Sequence, residues 1–146
     1  MTLKRGVAVV AAIGVAAVVT ATAAAQTQEK YKVRLATVPM DGGMRTTVAG
    51  TGSATGVLAG NTLTVNGTFD GLLSPATAAR LHRGPAMGVR GPSFAELTVA
   101  KTQKGALSGS VELAPEHVRA LKAGQIYIQV ASEKAPDGNL WGWFVK

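Results

Sequence analysis

Residues 62–70, Thr-Leu-Thr-Val-Asn-Gly-Thr-Phe-Asp, alternate apolar and polar side chains. A β-strand sends successive side chains to opposite faces, so this period of two sets Leu63, Val65 and Phe69 toward a core. Thr62, Thr64, Asn66 and Thr68 then face solvent. Gly67 interrupts the inner set and predicts a bulge.

The same alternation recurs. In residues 31–38, Tyr31, Val33 and Leu35 oppose Lys32, Arg34 and Ala36. Residues 46–56 alternate weakly and predict a strand from about Ser53, closed onto the next by a Gly60-Asn61 hairpin turn. Residues 94–100 and 107–113 follow the rule, with Leu97, Val99, Leu107, Val111 and Leu113 inward. Residues 125–130 place Ile126, Ile128 and Val130 inside and turn Tyr127 and Gln129 outward. In the final run, 139–145, Leu140, Gly142 and Phe144 share the inner face while Trp141 and Trp143 share the other. Two segments read as helical. Ser74-Pro75 has the form of a cap followed by a first-turn proline, predicting a short helical turn over 75–80. Pro115 opens a second, which ends at Lys122 before Gly124. Short strands at regular spacing predict an all-β fold: an antiparallel, Greek-key-like β-sandwich of about seven strands with one or two short connecting helices.

The first 25 residues read differently. Lys4 and Arg5 precede an apolar run over 6–23, and Ala23-Ala24-Ala25 supplies small residues for a peptidase. This is the order of a secretory signal peptide cleaved after Ala25, which leaves no stable membrane span and a secreted or periplasmic product. The remaining 121 residues, 26–146, form one domain with its core at about 31–145 and can bury a core without staples. The chain has no cysteine, which excludes disulfides and all thiolate chemistry. The mature part carries 13 basic and eight acidic residues, a net charge of +5. The basic residues are spread along the sequence, and no nucleic-acid partner is expected.

No catalytic signature is present: no nucleophile elbow, phosphate loop, dinucleotide fingerprint or paired-carboxylate spacing. No cofactor is required. Residues 74–92 form a connection of the kind that carries function, holding His82, three arginines and three of the six prolines. Arg80 and Arg83 flank His82, disfavour a bound cation there and lower the histidine pKa. His117, beside Glu116, reads as a solvated surface residue. Trp141 and Trp143 stand one strand repeat apart on a single face. They form either an open platform for a sugar ring or partner protein, or a cover for the domain edge. Arg80, Arg83 and Arg90 form either an anion-binding rim or an ordinary solvated loop.

An ordered set of segments carries a family resemblance. It begins with Leu63-Thr64-Val65-Asn66-Gly67-Thr68-Phe69-Asp70-Gly71-Leu72, then Arg80-Leu81-His82-Arg83-Gly84 and Gly91-Pro92. Leu107-Ser108-Gly109-Ser110, the run from Leu121 through Val130, and Pro136-Asp137-Gly138-Asn139-Leu140-Trp141-Gly142 complete it. In this order the chain resembles the CHRD (chordin-type) domain family. The resemblance implies an exported β-sandwich, single in bacteria, with no general enzymatic activity. Many members have His-Ile-His where this chain has Arg80-Leu81-His82, Asn-Val-His-Thr at 129–132, and Glu-Ile-Arg-Gly at 139–142. Here Arg80 and Ala131 stand in place of two histidines. The leading expectation is a non-catalytic binding module in the envelope or outside the cell. Its partner is a protein or an envelope polysaccharide, held by His82, Arg83, Arg90, Trp141 and Trp143. The alternative is a copper- or zinc-binding protein with superoxide-dismutase-like architecture, which needs three ligands converging on His82.

Overall fold

A computed structural model describes residues 27–146, and Gly14 alone before them. The signal-peptide reading of residues 1–25 lies outside the described segment apart from that glycine. Among the described residues no helix is long and apolar enough to cross a membrane.

Eight antiparallel strands close into a barrel, where the sequence predicts a sandwich of about seven. They are β1 (Gln28–Thr37), β2 (Thr51–Ala59), β3 (Thr62–Asp70), β4 (Ala76–Arg83), β5 (Ser93–Val99), β6 (Gly105–Glu112), β7 (Ile126–Ser132) and β8 (Leu140–Trp143). Around the barrel they run β1-β2-β3-β6-β5-β4-β7-β8 and back to β1. Two strands turn the corners. β1 pairs with β2 over residues 28–35 and then with β8 at Ala36 and Thr37. β5 pairs with β4 up to Leu97 and then with β6 at Thr98 and Val99. A strand that leaves one sheet for the other joins the two layers of a sandwich into a closed surface. Gly142 sits at the narrow β1–β8 seam, where a Cβ would stand 2.5 Å from both the Arg34 carbonyl and Val33 Cγ1.

The strand beyond the expected seven is β4, the segment read as a helical turn. Ser74 does not cap a helix: its Oγ accepts the Lys134 amide at 2.9 Å. Pro75 is tolerated because it precedes the ladder, where no amide is needed. From Ala76 the chain is held on both sides, by β7 throughout and by β5 from Ala79. Cross-strand pairing and burial of Ala76, Ala79 and Leu81 override the helical propensity of alanine. Beyond Ser74-Pro75, only residues 84–92 of the long connection remain a loop.

Gly67 does not form a bulge. β3 pairs without a register break to β2 and β6. Instead, a Cβ at Gly67 would lie 2.6 Å from that of Ala54, so glycine permits close strand contact. The Gly60-Asn61 hairpin forms as expected, with Gly60 at φ 63°. The helix α1 (Pro115–Lys122) also forms, closing on Gly124 at φ 75°.

The inward positions fill the barrel: Leu63, Val65, Phe69, Leu81, Ile126, Ile128, Val130, Leu140 and Phe144 are all buried. Tyr31 joins them edge-on to Phe144, 6.5 Å between centroids. Burial, reinforced by its hydrogen bond to Glu29, pushes the Tyr31 phenol up to about 12. A smaller apolar cluster of Val38, Val48 and Ala135 lies under Trp141, outside the main core.

Candidate functional site

The register of three strands builds one surface. His82 pairs with Tyr127, and Tyr127 pairs with Trp143. One repeat along, Arg80 pairs with Gln129 and Gln129 with Trp141. Residues opposite each other in adjacent strands share a face, so these side chains all rise from the outside of β4, β7 and β8.

Tyr127 is the hub. Its ring stacks on His82 (4.9 Å, 18° between planes), tilts against Trp143 (4.4 Å) and meets Trp141 edge-on (5.7 Å). The two tryptophans touch edge-to-face at 5.6 Å. Such aromatic geometries add stability beyond area burial. Tyr127 is expected from its alternation to face solvent, yet it is only 1% exposed. It does point outward, but its neighbours and the 84–92 loop cover it. His82, Trp141 and Trp143 remain half-buried.

The loop is pinned at Gly91. The Gly91 amide donates to Tyr127 Oη at 3.0 Å, and Tyr127 Oη donates back to the Gly91 carbonyl at 3.1 Å. The same carbonyl lies 2.9 Å from His82 Nδ1. A carbonyl only accepts, so Nδ1 carries the proton and a neutral ring keeps its Nε2 lone pair free of that bond. Arg90 follows from this clamp. Its guanidinium carbon stands 6.0 Å from the Trp141 ring centroid, and one of its nitrogens donates to the Asp137 carbonyl at 3.4 Å. Gln129 donates to that carbonyl as well. At the other end of the loop, Gly84 is buried beside Trp143, with no side chain to separate them.

The fold therefore gathers His82, Arg90, Trp141 and Trp143 around Tyr127. Arg83 is not with them. It alternates to the opposite side of β4 from His82 and is exposed at the strand end. Arg80 shares the His82 face but is paired with Glu96 at 3.3 Å, an exposed bridge of little energetic weight. His117 is not simply solvated; it stacks on Phe94 at 3.9 Å. Among the described residues, no three His, Cys, Asp or Glu side chains converge as a metal site would require.

Burial holds the His82 pKa below the ordinary 6.5, and the charges of Arg80 and Arg90 act in the same direction. The Gly91 hydrogen bond opposes them but does not prevail. Folded His82 thus resists a proton that the unfolded chain accepts. Its contribution to stability is complete above the unfolded value and is lost as pH falls through the folded one. Thermal melts from about pH 7.5 to 5 should show a steeper loss for the wild type than for His82→Gln. Parallel curves would contradict this.

A model of the CHRD domain matches residues 36–143. The chain belongs to the CHRD domain family. Comparison with curated proteins and with solved structures finds no match to it. On the CHRD barrel, the motif positions 80, 82, 129 and 141 all fall on the outer face just described. Where the resemblance implies histidines at 80 and 131, this member has Arg80 and Ala131. Its outer face is accordingly aromatic and cationic. Tyr127 and the Gly91 clamp are absent from the sequence-based site, because only the β4–β7–β8 register reveals them.

Proposed function

We propose that this protein is an exported, non-catalytic CHRD module that binds a polysaccharide of the cell envelope on the outer face of β4, β7 and β8. One observation carries the reading: Trp141 and Trp143, half-buried and in contact, stand over Tyr127 beside the pinned 84–92 loop. A sugar ring presents apolar C–H faces and polar edges. Tryptophan offers a broad apolar surface to the first, and Arg90, Gln129 and the loop carbonyls offer hydrogen-bonding groups to the second. Trp141 also covers the Val38–Val48–Ala135 cluster, so one ring both closes the domain edge and presents a surface. The leader read from residues 1–25 supports export in this account.

The test is a tryptophan-fluorescence titration of residues 26–146 against a panel of soluble polysaccharides. At least one should bind the wild type, with affinity lowered about tenfold or more in Trp143→Ala, as expected for loss of a central aromatic anchor. Failure of every polysaccharide, or equal binding by the variant, would contradict the reading.

A further inference from the structure

We infer that the ligand is a linear polyanionic polysaccharide, and that it continues from the aromatic face along a track of cations on β1. This rests on the proposed polysaccharide reading and names the substrate class.

Lys30, Lys32 and Arg34 are spread in sequence terms as ordinary alternate residues. On β1 they form an exposed row, while Tyr31, Val33 and Leu35 between them are buried. Alternate residues along an antiparallel strand lie about 6.8 Å apart, so the three charges repeat regularly. Among the described residues, none of the three is in an ion pair; the bridges of this protein join Arg80–Glu96, Lys104–Asp70 and Lys146–Glu29. A regular row of unpaired cations suits a polymer that repeats its charge better than a small compact anion.

The track joins the aromatic face through the β1–β8 seam. Ala36 pairs with Trp141 and Lys32 with Val145, a register that sets Arg34 across from Trp143. Arg90, over Trp141, extends the cations beyond the tryptophans. On its other side the row borders hydroxyls, since Lys32 pairs with Thr55 and Arg34 with Ser53, both outward and exposed. Cations, flanking hydroxyls and indole faces together match the carboxylates, hydroxyls and ring faces of a polyuronate. Nucleic acid fits less well. Its bases stack on a succession of aromatic side chains along the path of the strand, whereas the outward row of β1 carries no aromatic ring and the two indoles lie only at its end.

The experiment compares polygalacturonate, neutral dextran and single-stranded oligothymidylate by calorimetry at low and high salt. Polygalacturonate should bind best, weakening strongly between about 20 and 300 mM NaCl as charge contacts are screened. The triple variant Lys30→Gln, Lys32→Gln, Arg34→Gln should lose about tenfold in affinity. All three positions are exposed, and circular dichroism confirms the fold. A second triple, Lys101→Gln, Lys104→Gln, Lys134→Gln, has the same net charge and should bind like wild type. Equal losses in both triples would reduce the effect to bulk charge and overturn the track. Salt-insensitive binding of dextran as tight as polygalacturonate would overturn the polyanion and leave the aromatic platform standing. Tighter oligothymidylate would overturn the polysaccharide class. Binding of no polymer would overturn both readings.

Discussion

Tyr127→Ala should destabilise the protein by about 3–5 kcal/mol, the range for deleting a buried aromatic ring. Tyr127 is among the largest fully buried side chains, in ring contact with His82, Trp141 and Trp143. Its removal opens a cavity under all three, and it also strips the Gly91 amide of its partner and the Gly91 carbonyl of one of its two. The 84–92 loop should then detach, carrying Arg90 away from Trp141. Tyr127→Phe separates the two effects. It keeps the ring and removes the hydroxyl, so about 1–2 kcal/mol is expected with loop release alone. Urea unfolding gives the stabilities, and amide exchange at Gly91 reports the loop. A Phe variant as unstable as the Ala variant would show that the ring contacts matter little.

Asn139→Ala should cost about 2–3 kcal/mol through lost hydrogen bonds, a shift of roughly 1–2 M in the urea midpoint. Asn139 is completely buried, and both polar atoms of its side chain are hydrogen-bonded. Oδ1 accepts the Ala49 amide at 3.2 Å, and Nδ2 donates to the buried Ser132 hydroxyl at 2.9 Å. Its backbone accepts from Val38 and donates to Val130. One residue thus ties the end of β1, the approach to β2 and the end of β7 at the start of β8. Alanine leaves the Ser132 hydroxyl buried without this partner, the costly direction of hydrogen-bond loss. A midpoint within error of wild type would mean that the latch is redundant.

The strands were legible wherever one face meets the core and the other meets water. β3 shows this best, because its alternation runs from Thr62 to Asp70 with only Gly67 missing from the apolar set. β4 was obscured by its composition. Ala-Thr-Ala-Ala has little hydrophobic contrast, and Ser74-Pro75 imitates a helix start, so only pairing with β5 and β7 decides its state. Barrel closure was hidden for a related reason. It depends on two residues of β1 and two of β5 crossing between sheets, and alternation does not encode a partner. The site was legible as its separate parts, His82, Arg90, Trp141 and Trp143. What joins them, Tyr127, looked like one more outward residue until β4 and β8 were set on either side of it. Arg83 was drawn into the site by its proximity to His82, although strand alternation sends adjacent residues apart. The outward cations of β1 are legible in its alternation, but their place beside the tryptophans depends on the β1–β8 register.

Trp141 and Trp143 are the only tryptophans in the chain, so their fluorescence reports on the proposed surface alone. Acrylamide quenching, measured without and with saturating polygalacturonate, tests the central claim most directly. A bound polymer lying across the aromatic face should shield both indoles and reduce the quenching constant by about half or more, since an occupied site buries most of its contact surface. Polymer binding that leaves quenching unchanged would place the ligand elsewhere and contradict the account.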